Sequence, residues 1–131
     1  MKYLLSAFMI SLVLMCLSHV QAENSVPEQL VGWKQELIEI EKVRGDNVII
    51  NAYLADTPTK RTQGLMHVTD LPENEGMLFV FRPPRYVSMW MKNTVISLDI
   101  VFIKADGTIA HVHQEAKPLS LQSIPSIYKV K

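Results

Sequence analysis

Arg61, Lys92 and Asp99, with Asn93 and Thr94 following the lysine, are the polar residues best placed to do chemistry, because apolar runs enclose them. Asp99 stands between Leu98 and Ile100, and Lys92-Asn93-Thr94 interrupts Gly76 to Ile103, a stretch rich in aromatic residues and methionine. A polar group buried without a partner costs free energy, so a network or a ligand site must account for these residues. A planar guanidinium suits a carboxylate partner, so one reading pairs Arg61 with Asp99 and ties helix to sheet with no ligand. The other places Arg61, Lys92, Asn93, Thr94 and Asp99 around a small cleft floored by Met89, Trp90 and Met91, suited to a planar or amphipathic ligand.

Trp90 itself supports two roles. Exposed, an indole stacks on a sugar face; buried, it fills volume, and the usual burial of tryptophan favours the core. His111-x-His113 would set two imidazoles on one face of a strand, ~6.6 Å apart, with Glu115 as a further carboxylate. Two ligands without an evident third rarely make a metal site, so the expectation is a solvated pair with Val112 facing inward and no metal. Gly-x-Ser-x-Gly, a glycine-rich phosphate loop and His-Glu-x-x-His do not occur, which leaves the nucleophile-elbow, nucleotide and zinc-protease readings without support and assigns no cofactor.

The elements that must position these groups begin after a leader. Met1-Lys2-Tyr3 precedes the apolar run LLSAFMISLVLMCLS, shorter than the ~20 residues a membrane span needs. Val20-Gln21-Ala22 offers a signal-peptidase site, so residues 1–22 read as a secretory signal and the mature chain as exported, periplasmic or extracellular, without a membrane span. Cys16, the single cysteine, falls in the leader, and Met15 before it does not fit a lipoprotein signal. Loss of the leader removes Lys2 and no acid, leaving 12 basic against 13 acidic residues and nothing to attract nucleic acid.

Residues 23–35 read as an N-terminal extension in which Leu30, Val31 and Trp33 could pack on a sheet edge, and residues 36–131 as one domain. Alternation from Glu36 and from Val48, with Arg44-Gly45-Asp46-Asn47 between, predicts an antiparallel hairpin. Thr57-Pro58 combines a capping hydroxyl with a proline suited to the first helical position, so a short helix follows. Met77–Phe81 and Val95–Ile103 read as strands, Asp106-Gly107 as the turn of a second hairpin, and Ser126–Val130 as a last strand. The expected fold is a compact, mostly antiparallel β domain, barrel or sandwich-like, with one short helix.

Arg61-x-x-Gly64-Leu65-Met66, Leu71, Gly76-Met77-Leu78-Phe79-Val80-Phe81, Trp90-Met91-Lys92-Asn93-Thr94, Ile96-x-Leu98-Asp99-Ile100-x-Phe102-Ile103 and Gly107-x-Ile109 follow in order. This series, over roughly residues 47–130, resembles the domain-of-unknown-function 192 family, small bacterial and archaeal domains often preceded by a secretion signal. The resemblance implies a small β-barrel or sandwich-like fold and no established reaction. Against the family pattern, Val68 stands where an arginine is usual, Met89 where an aromatic is usual before Trp90, and Ser97 where a proline is usual before Leu98-Asp99. The chain also stops at Lys131 where relatives continue through another strand, which predicts an open final edge able to pair with a partner or a second copy.

These features together predict non-catalytic binding of a small molecule or a cell-envelope component. The alternatives are a metal-independent enzyme acting on carbohydrate or envelope material through Asp99, with Arg61 and Lys92 holding an anionic group, or an assembly factor using the open edge. Expression with the leader intact should yield a protein that begins at Glu23 and carries no lipid, which intact mass determines. A lipidated N-terminus at Cys16 would contradict it.

Overall fold

A computed structural model describes residues 26–131; the leader, its cleavage site and Cys16 lie outside them. The chain forms β1 (Gln35–Ile40), β2 (Val48–Ala55), the helix α1 (Pro58–Gln63), β3 (Glu75–Phe79), β4 (Ser88–Met89), β5 (Leu98–Ile103), β6 (Ile109–Ala116) and β7 (Ile124–Pro125), with a short 3-10 turn at Glu28–Leu30. Among the described residues no helix is long and apolar enough to cross a membrane.

Local chemistry sets the first half. β1 and β2 pair antiparallel from Gln35 opposite Tyr53 to Ile40 opposite Val48, and the Asn47 amide donates to Glu39 Oε1 at 2.8 Å to brace the turn. Thr57 caps α1 by accepting from the Lys60 N–H at 3.2 Å, and Pro58 occupies the first turn, where its missing N–H costs nothing. Gly64 ends the helix at φ 49, and a Cβ there would meet Phe79 Cζ at 3.2 Å, so both backbone and space demand glycine.

β3 departs from the expected antiparallel order. It runs parallel to β2, with Ala52 opposite Gly76 and Ala55 opposite Phe79. The reason is the connection: α1 and the loop after it carry the chain back across the face of the sheet, and such a crossover delivers the next strand in the same direction. The resulting sheet has the order β1-β2-β3, beside two antiparallel ribbons, β5-β6 and β4-β7. The fold is mostly β and sandwich-like rather than a closed barrel.

Two apolar clusters fill it. Leu30, Tyr53, Leu65 and Val68 form one, under α1; Met91, Phe102, Ala116, Ile124 and Val130 form the other, between the ribbons; Leu98 packs against both. Leu30 is fully buried, so the N-terminal extension supplies core instead of only resting on an edge. Val31 is exposed, and half-buried Trp33 lies under Lys60, whose ammonium is 5.2 Å from the ring centroid.

The end of the chain also differs from expectation. Ser126–Val130 is not a free strand: Arg85 and Val130 exchange backbone hydrogen bonds at 2.9 and 3.0 Å, and the Lys131 N–H donates to the Ile103 carbonyl. Val130 and Lys131 are thus tied to neighbouring segments on two sides, and Ser126–Lys129 forms no regular strand.

Tyr53 is 1% exposed, and among the described residues its hydroxyl has no hydrogen-bond partner, although Glu75 and Gln35 are its polar neighbours. Burial first, then the Glu75 carboxylate, pushes its pKa above the ordinary tyrosine value. A raised folded pKa contributes stability below the unfolded value of about 10 and loses it as pH rises through the folded value. Tyr53→Phe should therefore gain about 1 kcal/mol at neutral pH by removing an unsatisfied buried hydroxyl. It should also lose stability less steeply than the wild type above about pH 10. Urea unfolding of both proteins on either side of that pH measures the two effects.

Candidate functional site

A concavity of about 650 Å³ lies where the ends of β1, β2 and β3 face the β5-β6 turn. Leu54, Leu78, Val80 and Ile103 supply its apolar surface. Around them stand Lys34, Arg61, Arg82, Lys104 and Lys131, against the carboxylates Glu36 and Asp56. Each is delivered by a different local device: α1 presents Arg61, the segment after β3 carries Arg82, and the Asp106-Gly107 turn positions Lys104. In that turn Asp106 Oδ1 accepts from the Thr108 hydroxyl at 2.7 Å and, second, from the Thr108 N–H at 2.9 Å, which hold its carboxyl below the usual range.

The charges in the cleft do not cancel. Glu36 is taken by Lys34 at 2.7 Å, and Asp56 by Lys60 at 3.7 Å. Among the described residues, Arg61, Arg82, Lys104 and Lys131 have no carboxylate within ion-pair distance. Arg61 is held by two carbonyls instead: its Nη1 donates to Asp56 O at 2.9 Å and Val80 O at 2.8 Å, with the guanidinium carbon 5.3 Å from the Phe81 centroid. A guanidinium has five donors, so its remaining N–H groups and its full charge are available to an anion.

The six sequence-derived candidates are not brought together. Asp99 is exposed and does not pair with Arg61; its Oδ1 accepts from the Glu115 N–H at 2.8 Å, across the register shift where Glu115 takes φ 50. The expected buried ion pair is thus replaced by a brace for a bulge, because outward alternation on β5 carries Asp99 away from the helix. Asn93 and Thr94 build a turn: the Asn93 carbonyl accepts from His67 N–H, and Thr94 is buried with its hydroxyl donating to the Lys92 carbonyl. Trp90 is 50% exposed, against the expectation of burial, and Lys92 Nζ lies 5.1 Å from its ring centroid. Met89 and Met91 point inward on either side of it, which forces the indole out.

The histidine pair is also reversed. His111 and His113 are half-buried and Val112 is 38% exposed, because His111 lies opposite core Phe102 and stacks on it at 6.1 Å and 11°, while Val112 lies opposite Val101. Among the described residues no group of three or more metal-ligating side chains converges. Arg82 and Lys104, by contrast, carry no periodic signal in the sequence; only the Arg82-Pro83-Pro84-Arg85 run and the Asp-Gly turn beside them mark the place.

The family model described as Uncharacterized ACR, DUF192, matches residues 39–131. The chain belongs to this family. A protein from Sinorhizobium meliloti 1021, provisionally named a transcription regulator, is 39% identical, with a TM-score of 0.73 over 76% of this chain and 78% of that chain. A protein of unknown function from Novosphingobium aromaticivorans DSM 12444 is 30% identical, with a TM-score of 0.75 over 83% of this chain and 79% of that chain. No curated protein matches. Within DUF192, the chain's Val68 is fully buried beside Leu30 and Leu65, so the position read as a missing arginine is core here.

Because Asp99 and Arg61 share no interaction, their substitutions should act independently. Asp99→Ala loses one exposed hydrogen bond, about 0.5–1.5 kcal/mol, and Arg61→Met loses charged bonds to carbonyls, about 1.5–3 kcal/mol. The double variant should equal the sum within about 0.5 kcal/mol, as read by urea unfolding. A large coupling would restore the direct pair.

Proposed function

We propose that this chain is an exported, non-catalytic binding domain whose site is the cationic cleft, and that its ligand is a small anion with an apolar portion. The observation that carries the reading is the cleft itself: about 650 Å³, with Leu54, Leu78, Val80 and Ile103 beneath Arg61, Arg82 and Lys104. That size falls within the ~300–1,000 Å³ of small-molecule sites, which combine an apolar lining with a few placed polar groups. Arg61, fixed by two carbonyls and an aromatic ring, is pre-organised to meet a carboxylate or phosphate with little loss of side-chain freedom. Export rests on the leader, Met1 to Ala22.

Without its leader the chain carries 12 basic against 13 acidic residues, an overall charge that does not draw nucleic acid, so the regulator name stays with the Sinorhizobium relative. The enzymatic alternative loses its proposed acid, since Asp99 lines neither this cleft nor the groove at Trp90.

Calorimetric titration of residues 23–131 with short fatty carboxylates, aromatic carboxylates and inorganic phosphate tests the reading. An amphipathic carboxylate should bind better than phosphate, because only it covers the apolar surface. Arg82→Ala combined with Lys104→Ala should weaken binding at least tenfold, about 1.4 kcal/mol, while leaving the melting temperature near that of the wild type. Affinity unchanged in that variant, or no anion bound, would reject the cleft as the site.

A further inference from the structure

We infer that the outer face of the β4-β7 ribbon is a second, separate site, which binds the pyranose rings of an acidic glycan. The ribbon alternates cleanly. Val87 and Met89 pack inward with Ile124, and Tyr86, Ser88 and Trp90 face outward, Tyr86 66% and Trp90 50% exposed. Tyr86 and Trp90, both exposed, flank Ser88 at two residues on either side, just beyond the two-residue strand β4. A groove of about 320 Å³, lined by Ser88, Met89, Trp90, Leu121 and Ser123, runs beside the indole.

Each part matches a feature of a sugar. The C–H face of a pyranose is apolar and flat, and an exposed indole offers it a matching surface. Its hydroxyls need partners that both donate and accept, and Ser88 and Ser123 present two hydroxyls 2.5 Å apart across the strands. Lys92 places an ammonium 5.1 Å from the Trp90 centroid with no ion-pair partner among the described residues, and this charge complements a sugar carboxylate. The backbone keeps this surface fixed: the Met91 N–H donates to Ser120 O at 3.0 Å, and the Ser126 N–H to Val87 O at 2.9 Å. None of these residues lines the cationic cleft, so the inference stands or falls independently of it.

The test is calorimetric titration of residues 23–131 with an oligogalacturonate, a neutral cello-oligosaccharide of equal length, a polyproline peptide and an oligothymidylate. The oligogalacturonate should bind most tightly. Trp90→Ala should weaken it at least tenfold, and Lys92→Gln should weaken it severalfold while leaving the weaker binding of the neutral sugar unchanged. Both side chains are exposed, and an unchanged circular-dichroism melt would show that the fold is retained. Arg82→Ala with Lys104→Ala should leave glycan binding as it was. The inference is overturned if no sugar binds, if the peptide or oligonucleotide is preferred, if Trp90→Ala has no effect, or if the Arg82/Lys104 variant abolishes glycan binding instead.

Discussion

The turn from Met91 to Thr94 is the constraint on which the rest of the structure depends. Within a few residues it ties together segments that are far apart in sequence: the Met91 N–H reaches Ser120 O, the Asn93 carbonyl receives His67 N–H at 2.8 Å, and the Thr94 carbonyl receives Leu119 N–H at 2.9 Å. Met91, 1% exposed, anchors the same turn in the core between the ribbons. Burial of such a side chain contributes about 1.5–3 kcal/mol, and each hydrogen bond about 0.5–1.5 kcal/mol. Asn93 tolerates φ 53 here because a short polar side chain carries the left-handed conformation at small cost. The strain at Leu119, φ 62, is offset by the bond its N–H makes to the turn.

From that anchor the two concave surfaces follow. Inward burial of Met89 and Met91 sends Trp90 to solvent and Lys92 over its ring, which creates the groove at β4-β7. On the other side, Leu98 links the two apolar clusters and fixes β5, so that the β5-β6 turn projects Lys104 toward Arg61 and Arg82. Both surfaces are built where strands end, since the ladders themselves spend their backbone groups on pairing and leave function to turns and edges. The scarcity of ion pairs among the described residues is part of the same arrangement: there the carboxylates near the cleft are occupied, and several cations remain uncompensated.

Much of the fold was legible in the residues alone. Thr57-Pro58 started the helix, Asp106-Gly107 placed the second hairpin, and alternation around Val48 located β2, because caps, tight turns and side-chain alternation are decided within a few residues. The importance of Trp90-Met91-Lys92-Asn93-Thr94 was legible too, from polar groups set among apolar neighbours. Their roles were not, since a polar residue between two apolar ones points outward on a strand as readily as it is buried in a turn.

What the sequence by itself determined, then, is the set of local elements and the family to which they belong. The tertiary structure alone decided that β3 runs parallel to β2, that the terminal residues are held between Arg85 and Ile103, that Asp99 braces a bulge, and that Arg82 and Lys104 meet Arg61. The physical reason is common to all four. Which strands pair, and which face of each is covered, depends on long-range packing around Leu98 and Met91, and no short stretch of sequence contains both partners of such a contact.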